Sequence, residues 1–559
     1  MKTKIFLILV TLLSLFLSIY KINEVPPCLN SDEIAYGYNA YSIMQTGSDE
    51  HGKFLPLRLE SFEDFKLPLY TYILIPFIKI IGVNDLAVRF PNIILACLFP
   101  ILFYSILKKV FAHDGIAAAS NAASLQKILH DDTVPLVGAF LVSFSPWIYL
   151  LSRQAHEGVL CAFLILLGIN ALLNHQKEGK ARCFYMGNLF IFLSAFAYHP
   201  GRIFLIVIGF IQIVYFFWNK GEKNEKIKAV QKSLVIIILI LIPFFLDFIY
   251  GANRVNNLYF FNNQGFALRI NELMGEDNNR LIHNKGIEFV RELTNRFLYQ
   301  ISPEFLTITG DKNIRFGFPG ISNINIVEYL FVFVGIYYLF KNKSKYRLPI
   351  LTLLFISPLV NALTWQEYSL NRTYFMIFPI LAIVAYGAVN LYEDLVKFRR
   401  DCFGLAILVL AMTVGAYFFY SFMSWDFYFN HYSKRALVIR GWQCGNKEMS
   451  QYVGQNYNNF DKFYITKKNG QPYIFILFYN QINPSYFLET RKMSPIDEFG
   501  YTQVNFFDKF NFNFTYSPNL KKTAFIGYPD DFAGSKIDQS KVKKIMIGGE
   551  EMFWIVENR

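Results

Sequence analysis

Two adjacent carboxylates, Asp32 and Glu33, open the stretch Asn30-Ser-Asp-Glu-Ile-Ala-Tyr-Gly-Tyr-Asn-Ala-Tyr-Ser-Ile-Met-Gln-Thr-Gly47, just beyond the first apolar segment of the chain. Asn30 followed three residues later by Glu33 has the form of a capping box, and Gly47 is a natural helix stop. The spacing therefore predicts a short helix between them. Neighbouring residues of a helix point about 100° apart, so the two acids cannot address one substrate atom. With Glu33 closing the capping box, Asp32 is the acid left for chemistry, and a carboxylate there suits a general base acting on a hydroxyl. The competing reading makes both acids first-turn charges favoured by the helix dipole. Ile34, Tyr38 and Tyr41 share one face, which predicts an amphipathic helix lying along a membrane surface.

Cations accompany these acids. Lys66, in Asp64-Phe65-Lys66-Leu67-Pro68-Leu69-Tyr70, precedes the short apolar stretch Leu67 to Ile78. It is either a snorkelling lysine or a cation for a lipid-linked phosphate. Arg153, Arg202 and Arg372 each stand at the end of an apolar stretch on a side otherwise poor in charge, and with Lys66 they form a candidate anion site. Glu157 is a second carboxylate or a helix-start charge. His199, in Tyr198-His199-Pro-Gly-Arg202, is a phosphate hydrogen-bonder or a helix-end residue. Tyr36 and Tyr70, from the two loop runs, complete the candidate substrate-binding set.

The elements that must hold these residues are membrane helices. Of 559 residues, 53% are hydrophobic, 18% aromatic and 17% charged, against about 25% charged in ordinary globular proteins. Mean hydropathy is +0.29. So few charges cannot cover a soluble surface, and disordered, collagenous, coiled-coil and disulfide-scaffold classes are excluded. A span needs roughly 20 apolar residues. Candidates lie near 4–20, 88–107, 134–152, 158–174, 183–199, 203–218, 233–250, 325–340, 348–364, 373–391 and 403–424, about eleven in all. Leu67 to Ile78 is too short and reads as re-entrant or interfacial.

The connections alternate in charge. Lys2 and Lys4, Lys108, Lys109 and Lys127, Lys177, Lys180 and Arg182, Lys220, Lys223, Lys226, Lys228 and Lys232, Lys341, Lys343, Lys345 and Arg347, and Lys397, Arg399 and Arg400 fall on one side. The positive-inside rule makes that side cytoplasmic, with the N-terminus inside and the C-terminus outside the plasma membrane. The net charge of +12 is thus a topology signal and calls for no nucleic acid. No small-x-small site follows the first segment, so it reads as an uncleaved span. Three outer pieces remain: 21–87, 251–324 and 425–559. The chain thus divides into a transmembrane domain, 1–424, and a small extracytoplasmic α/β domain, 425–559. In the latter, Lys447 to Tyr457 patterns as helix, Phe460 to Thr466 as strand, and Tyr473 to Tyr479 as a compact apolar run. Of six cysteines only Cys28 and Cys444 fall outside, so one external disulfide is allowed. No Cys/His set has zinc spacing.

Asp32-Glu33 after the first span, Thr46-Gly47, Lys66-Leu-Pro-Leu-Tyr70 and Asp85-Leu-Ala-Val-Arg89-Phe-Pro together resemble the C-type (GT-C) glycosyltransferases. The likeness is to the family of dolichyl-phosphate-mannose protein mannosyltransferases and bacterial aminoarabinose transferases. Ser152-Arg153, His199-Pro-Gly-Arg202, Asn371-Arg372, Glu304-Phe-Leu-Thr-Ile-Thr-Gly-Asp-Lys-Asn and Gly470-Gln-Pro-Tyr-Ile-Phe-Ile-Leu-Phe-Tyr extend it to bacterial members. The resemblance implies transfer of a single sugar from a polyprenyl-phosphate carrier to a lipid, glycan or protein hydroxyl on the outer face of the bilayer. It assigns Asp32 as the base and sets Lys66 and outer arginines near the carrier phosphate. It requires no cofactor and leaves a divalent cation open. The loop 251–324 is too short for the β-trefoil that some protein mannosyltransferases carry there, which argues against protein as acceptor. A flippase of lipid-linked sugars and an oligosaccharide polymerase or ligase are the alternatives.

Overall fold

The structure is a computed structural model, and it describes residues 2–61, 64–111, 123–218, 223–250, 259–317, 322–364, 366–397, 399–495, 502–535 and 537–559. The segments 251–258 and 318–321, and the connection 112–122, lie outside the described residues.

All eleven apolar stretches are helical. Those reaching to residue 250 are α1 (Lys2–Ile19), α4 (Asp85–Phe111), α5 (Ala123–Phe144) with α6 (Pro146–Ser152), α7 (Glu157–Glu178), α8 (Ala181–Ala197), α9 (Pro200–Trp218) and α10 (Lys223–Tyr250). Among the described residues seven helices are long and apolar enough to cross a membrane, and the pair α5–α6, bent by 50°, makes an eighth. The other three, α8, Ile326–Lys341 and Arg347–Ala362, have 17, 16 and 16 residues. The stretch that is too short to span becomes α3 (Leu69–Ile81), 13 residues with Pro76 inside it.

The chain forms two compact units, drawn otherwise than at residue 424. The first comprises Met1–Ile19, Ile93–Ser152 and Glu157–Phe427. Here small residues let helices close up, as membrane interiors demand. A Cβ on Gly335 would lie 2.1 Å from the carbonyl oxygen of Ile383, so Ile326–Lys341 and Ile377–Lys397 pack backbone to backbone.

The second unit comprises Tyr20–Asn92, Arg153–His156 and Tyr428–Arg559. The loop after the first span therefore folds with the C-terminal region, and a disulfide joins Cys28 to Cys444 across 416 residues. Loop closure of that length is where a crosslink restrains the unfolded chain most. The loop contributes α2 (Ser31–Thr46), α3 and an antiparallel pair, β1 (Leu59–Ser61) with β2 (Asp64–Lys66). The C-terminal part carries a seven-stranded mixed sheet. Its strands are β3 (Lys462–Ile465), β4 (Lys492–Met493), β5 (Val504–Phe507), β6 (Phe510–Asn511), β7 (Thr523–Gly527), β8 (Lys543–Ile547) and β9 (Glu550–Asn558). Their order is β4-β5-β6-β3-β7-β9-β8, with β3 parallel to both β6 and β7. The predicted helix and strand appear as Asn446–Gln455 and β3, and the apolar run becomes a helix, Pro472–Tyr479.

One expectation fails. α2 is not amphipathic: Ile34, Ala35, Tyr36, Gly37, Tyr38, Asn39 and Ala40 are consecutively buried. Pro472–Tyr479 and α3 both pack against it. At Gly37 an added Cβ would lie 2.6 Å from the Phe478 ring and 2.8 Å from Val88, so only glycine admits that approach.

Candidate active site

The first turn of α2 is fixed by its cap. Asn30 Oδ1 accepts from the N–H groups of Asp32 (2.9 Å) and Glu33 (3.2 Å), and Asn30 N–H donates to Glu33 Oε2 at 3.2 Å. Gly47, at φ +73°, ends the helix by donating to Ile43 O. Both acids are thereby set at fixed directions from one turn.

Their environments differ sharply. Glu33 is only 2% exposed and accepts from Arg89 Nε (3.1 Å), Arg89 Nη2 (3.2 Å) and the Ala155 N–H (2.8 Å). Arg89 in turn donates to the carbonyls of Pro26 (3.2 Å) and Cys28 (2.6 Å). Glu33 is thus the hub joining α2, α4 and the segment 153–156. Asp32, on the adjacent face, has a side chain 52% exposed, and its Oδ1 accepts from Lys66 Nζ at 2.8 Å.

β2 delivers Lys66. Leu59 pairs with Lys66 in the β1–β2 ladder, so the side chain leaves the strand at a set position. Only 7% of it is exposed. Its ammonium also lies 3.4 Å from the Asp32 carbonyl oxygen and 4.6 Å from the centroid of the Tyr36 ring. Tyr36 meets Tyr70 edge-on at 5.2 Å, and Tyr70 Oη donates to Val88 O at 3.2 Å. The ammonium therefore rests in an aromatic and carboxylate cradle. It does not snorkel outward.

Arg153 sits in the same unit but is fully buried. It donates through Nε to Val25 O at 3.2 Å and packs against the Phe429 ring, 5.0 Å from its centroid. Glu157, His199, Arg202 and Arg372 belong to the other unit: Glu157 begins α7, His199 precedes α9, and Arg202 is buried in the first turn of α9. Arg372 donates to Thr364 Oγ1 at 2.7 Å. Asp311, which sequence reasoning passed over, accepts there from the N–H groups of Leu370 (2.6 Å) and Asn313 (2.8 Å). Burial pushes its carboxyl up to about 6, against the lowering effects of those bonds and Arg372.

A second cluster that sequence reasoning missed follows α2. Glu50 is buried, accepting from Asn39 Nδ2 (3.1 Å) and Tyr473 Oη (3.2 Å). Burial raises its carboxyl to about 7, while burial lowers His51 to about 4. Folded Glu50 holds its proton more tightly than the unfolded chain, so its contribution is largest in acid and is lost as pH rises towards 7. His51 acts oppositely, losing stability as pH falls below its unfolded value of about 6.5. The two slopes offset each other. In Glu50→Gln only the histidine slope remains, so the melting temperature should fall more between pH 7 and pH 5 than in the wild type. An equal fall in a thermal scan of detergent-solubilised protein would refute the pairing. Among the described residues no three His, Cys, Asp or Glu side chains gather in a way that could hold a metal ion.

The fold, apolar helices with a C-terminal mixed sheet, is shared by solved structures. ArnT from Cupriavidus metallidurans bound to undecaprenyl phosphate is similar over 99% of this chain and 98% of its own, at TM-score 0.53 and 9% identity. The same protein in the apo state gives 0.52 and 9%, over 99% and 97%. The oligosaccharyltransferase AglB from Archaeoglobus fulgidus, in complex with an inhibitory peptide and a dolichol-phosphate, gives 0.49 and 13% over 85% of this chain. The chain spans 63% of the length of AglB. No protein-family model and no curated protein matches the sequence. The expected fold is therefore the fold found.

Proposed function

We propose that this chain is a membrane glycosyltransferase that takes one sugar from a polyprenyl-phosphate carrier and passes it to a hydroxyl acceptor. The acceptor oxygen attacks the anomeric carbon and loses its proton to Asp32. The bond from that carbon to the phosphate oxygen breaks, the anomeric centre inverts, and the polyprenyl phosphate leaves with the electron pair. In this reading the site faces the outside of the plasma membrane and the N-terminus is cytoplasmic.

The observation carrying the proposal is the 2.8 Å contact of Lys66 with a half-exposed Asp32. One group is a base, the other a cation able to take up charge on a departing phosphate, and both are held by rigid elements. A carrier phosphate arriving beside the pair competes for the ammonium and loosens its hold on Asp32. Charge stabilisation of this kind strengthens as water is excluded.

The test is turnover of a labelled undecaprenyl-phosphate sugar by the purified protein. Release of free undecaprenyl phosphate with an equal amount of glycosylated acceptor supports the transferase, and movement of an intact carrier across vesicles supports a flippase instead. In the same assay Lys66→Ala should raise the donor KM by about 10- to 100-fold, the range for a charge-assisted contact, with Lys66→Arg recovering part of it. Unchanged donor affinity would reduce Lys66 to a structural partner of Asp32. The phosphate-binding role expected of Arg202 and Arg372 is a separate proposal, read by the same donor titration.

A further inference from the structure

The first unit contains a cavity of about 1010 Å³, at the upper end of the range of about 300–1,000 Å³ for small-molecule sites. Its depth is apolar, walled by side chains such as Phe103 of α4, Leu166 of α7, Ile208 of α9 and Phe378 of Ile377–Lys397. Its cationic and imidazole groups, His175, Lys228 and Lys232, gather at the helix ends that border the basic connections, beside Gln176 and Tyr346; Gln212 and Tyr215 of α9 also line it. Among the described residues no Asp or Glu lines it.

Lys232 is held at this rim in an unusual way. Its Nζ lies 3.1 Å from His175 Nε2, while His175 Nδ1 lies 2.9 Å from Lys180 O. A carbonyl oxygen only accepts, so the ring proton is on Nδ1 and the neutral Nε2 accepts from the ammonium. The same ammonium stands 5.2 Å from the Phe184 ring centroid and 5.4 Å from that of Phe216. Imidazole and aromatic faces orient the charge without cancelling it, and among the described residues no carboxylate pairs with it. A snorkelling lysine would run outward to water. This one lies along the cavity wall.

We infer that this cavity is a binding site for an anionic glycerophospholipid, with acyl chain in the apolar depth and phosphate against Lys228 and Lys232. An apolar volume of this size suits hydrocarbon better than water, which needs two to four polar partners at each position. Basic pockets between membrane helices select anionic headgroups. The inference stands apart from the glycosyltransferase reading and uses none of its residues.

The test is lipid binding by the full-length purified protein, delipidated in detergent and titrated separately with phosphatidylglycerol, phosphatidylcholine and undecaprenyl phosphate, read by native mass spectrometry. Phosphatidylglycerol should bind more tightly than phosphatidylcholine. The double variant Lys228→Gln/Lys232→Gln should weaken its binding about thirty-fold, from the usual contribution of two lysines near an anionic headgroup. Ala382→Phe, which fills the cavity from its wall, should abolish retention of the lipid. Lys228→Arg/Lys232→Arg keeps both charges and should bind like the wild type, which separates lost charge from lost folding. Equal binding of the two phospholipids, or unchanged binding by the double glutamine variant, overturns the inference. Undecaprenyl phosphate displacing phosphatidylglycerol, in a manner abolished by the double variant, overturns it in favour of a carrier site.

Discussion

Asp32→Asn should keep the protein folded and the donor bound while lowering transfer about 10²- to 10⁴-fold, the usual contribution of a general base. The substitution keeps size and leaves the cap intact, since Asn30 accepts from backbone N–H groups of residues 32 and 33 and not from the side chain. An asparagine oxygen still accepts from Lys66, so the loss of stability stays within the range of about 0–1 kcal/mol for partly exposed ion pairs. What it cannot do is take the acceptor's proton. The kinetic signature is specific: kcat falls, and the donor KM stays or drops, because Lys66 no longer shares its charge with a carboxylate. A purely structural role for Asp32 would shift the melting temperature and leave kcat alone. Asp32→Glu is the second arm. It keeps the base but moves it by one methylene, and displacements near 1 Å at a reacting centre cost about 10² in rate. Near-wild-type turnover in the asparagine variant ends the assignment.

The parts of this site that could be read in the sequence are those set by neighbours along the chain. Asn30, Glu33 and Gly47 announce the helix because a cap is a matter of a few residues, and the apolar stretches announce the spans for the same reason. Distant covering could not be read. Ile34, Tyr38 and Tyr41 look like one membrane-surface face until Pro472–Tyr479 closes over α2, and Tyr38 Oη donates to Ile482 O, 444 residues away. Tyr473 to Tyr479 was ambiguous because seven apolar residues suit a buried strand or a short buried helix equally. Arg153 looked like an anion ligand from its place beside a span. The residues that surround it, Val25 and Phe429, come from far along the chain on either side. Glu50 escaped notice because an acid in a loop reads as solvated, and its burial depends on Tyr473. Cys28 and Cys444 were allowed as a pair by elimination, but only the joint folding of the first loop with the C-terminal region makes the bond.

The second large effect concerns Arg89, quoted in the sequence as part of a motif and given no role there. Arg89→Leu should destabilise the protein by about 3–5 kcal/mol, the range for breaking a buried ion pair from one side. The physical cause is the carboxylate left behind. Glu33 is 2% exposed and would be left next to the Ala155 N–H without its cation, while Pro26 and Cys28 lose a donor to their carbonyls. Replacing both members, Glu33→Leu with Arg89→Leu, removes the stranded charge and should recover part of the stability. Recovery stays incomplete, because the N–H groups of Asn30 and Ala155 then lack their acceptor. The fraction of monodisperse protein surviving a heating series reads both variants. A single variant as heat-resistant as the wild type would show that Arg89 is not the hub's cation. Activity in whatever folded Arg89→Leu remains is the sharper measure. Asp32 adjoins Glu33 on the first turn of α2, so a turn released from α4 misplaces the base, and kcat should fall even where donor binding persists. On the proposed mechanism, stability and catalysis meet at this turn: the buried acid holds the helix in place, and the exposed one beside it is thereby aimed.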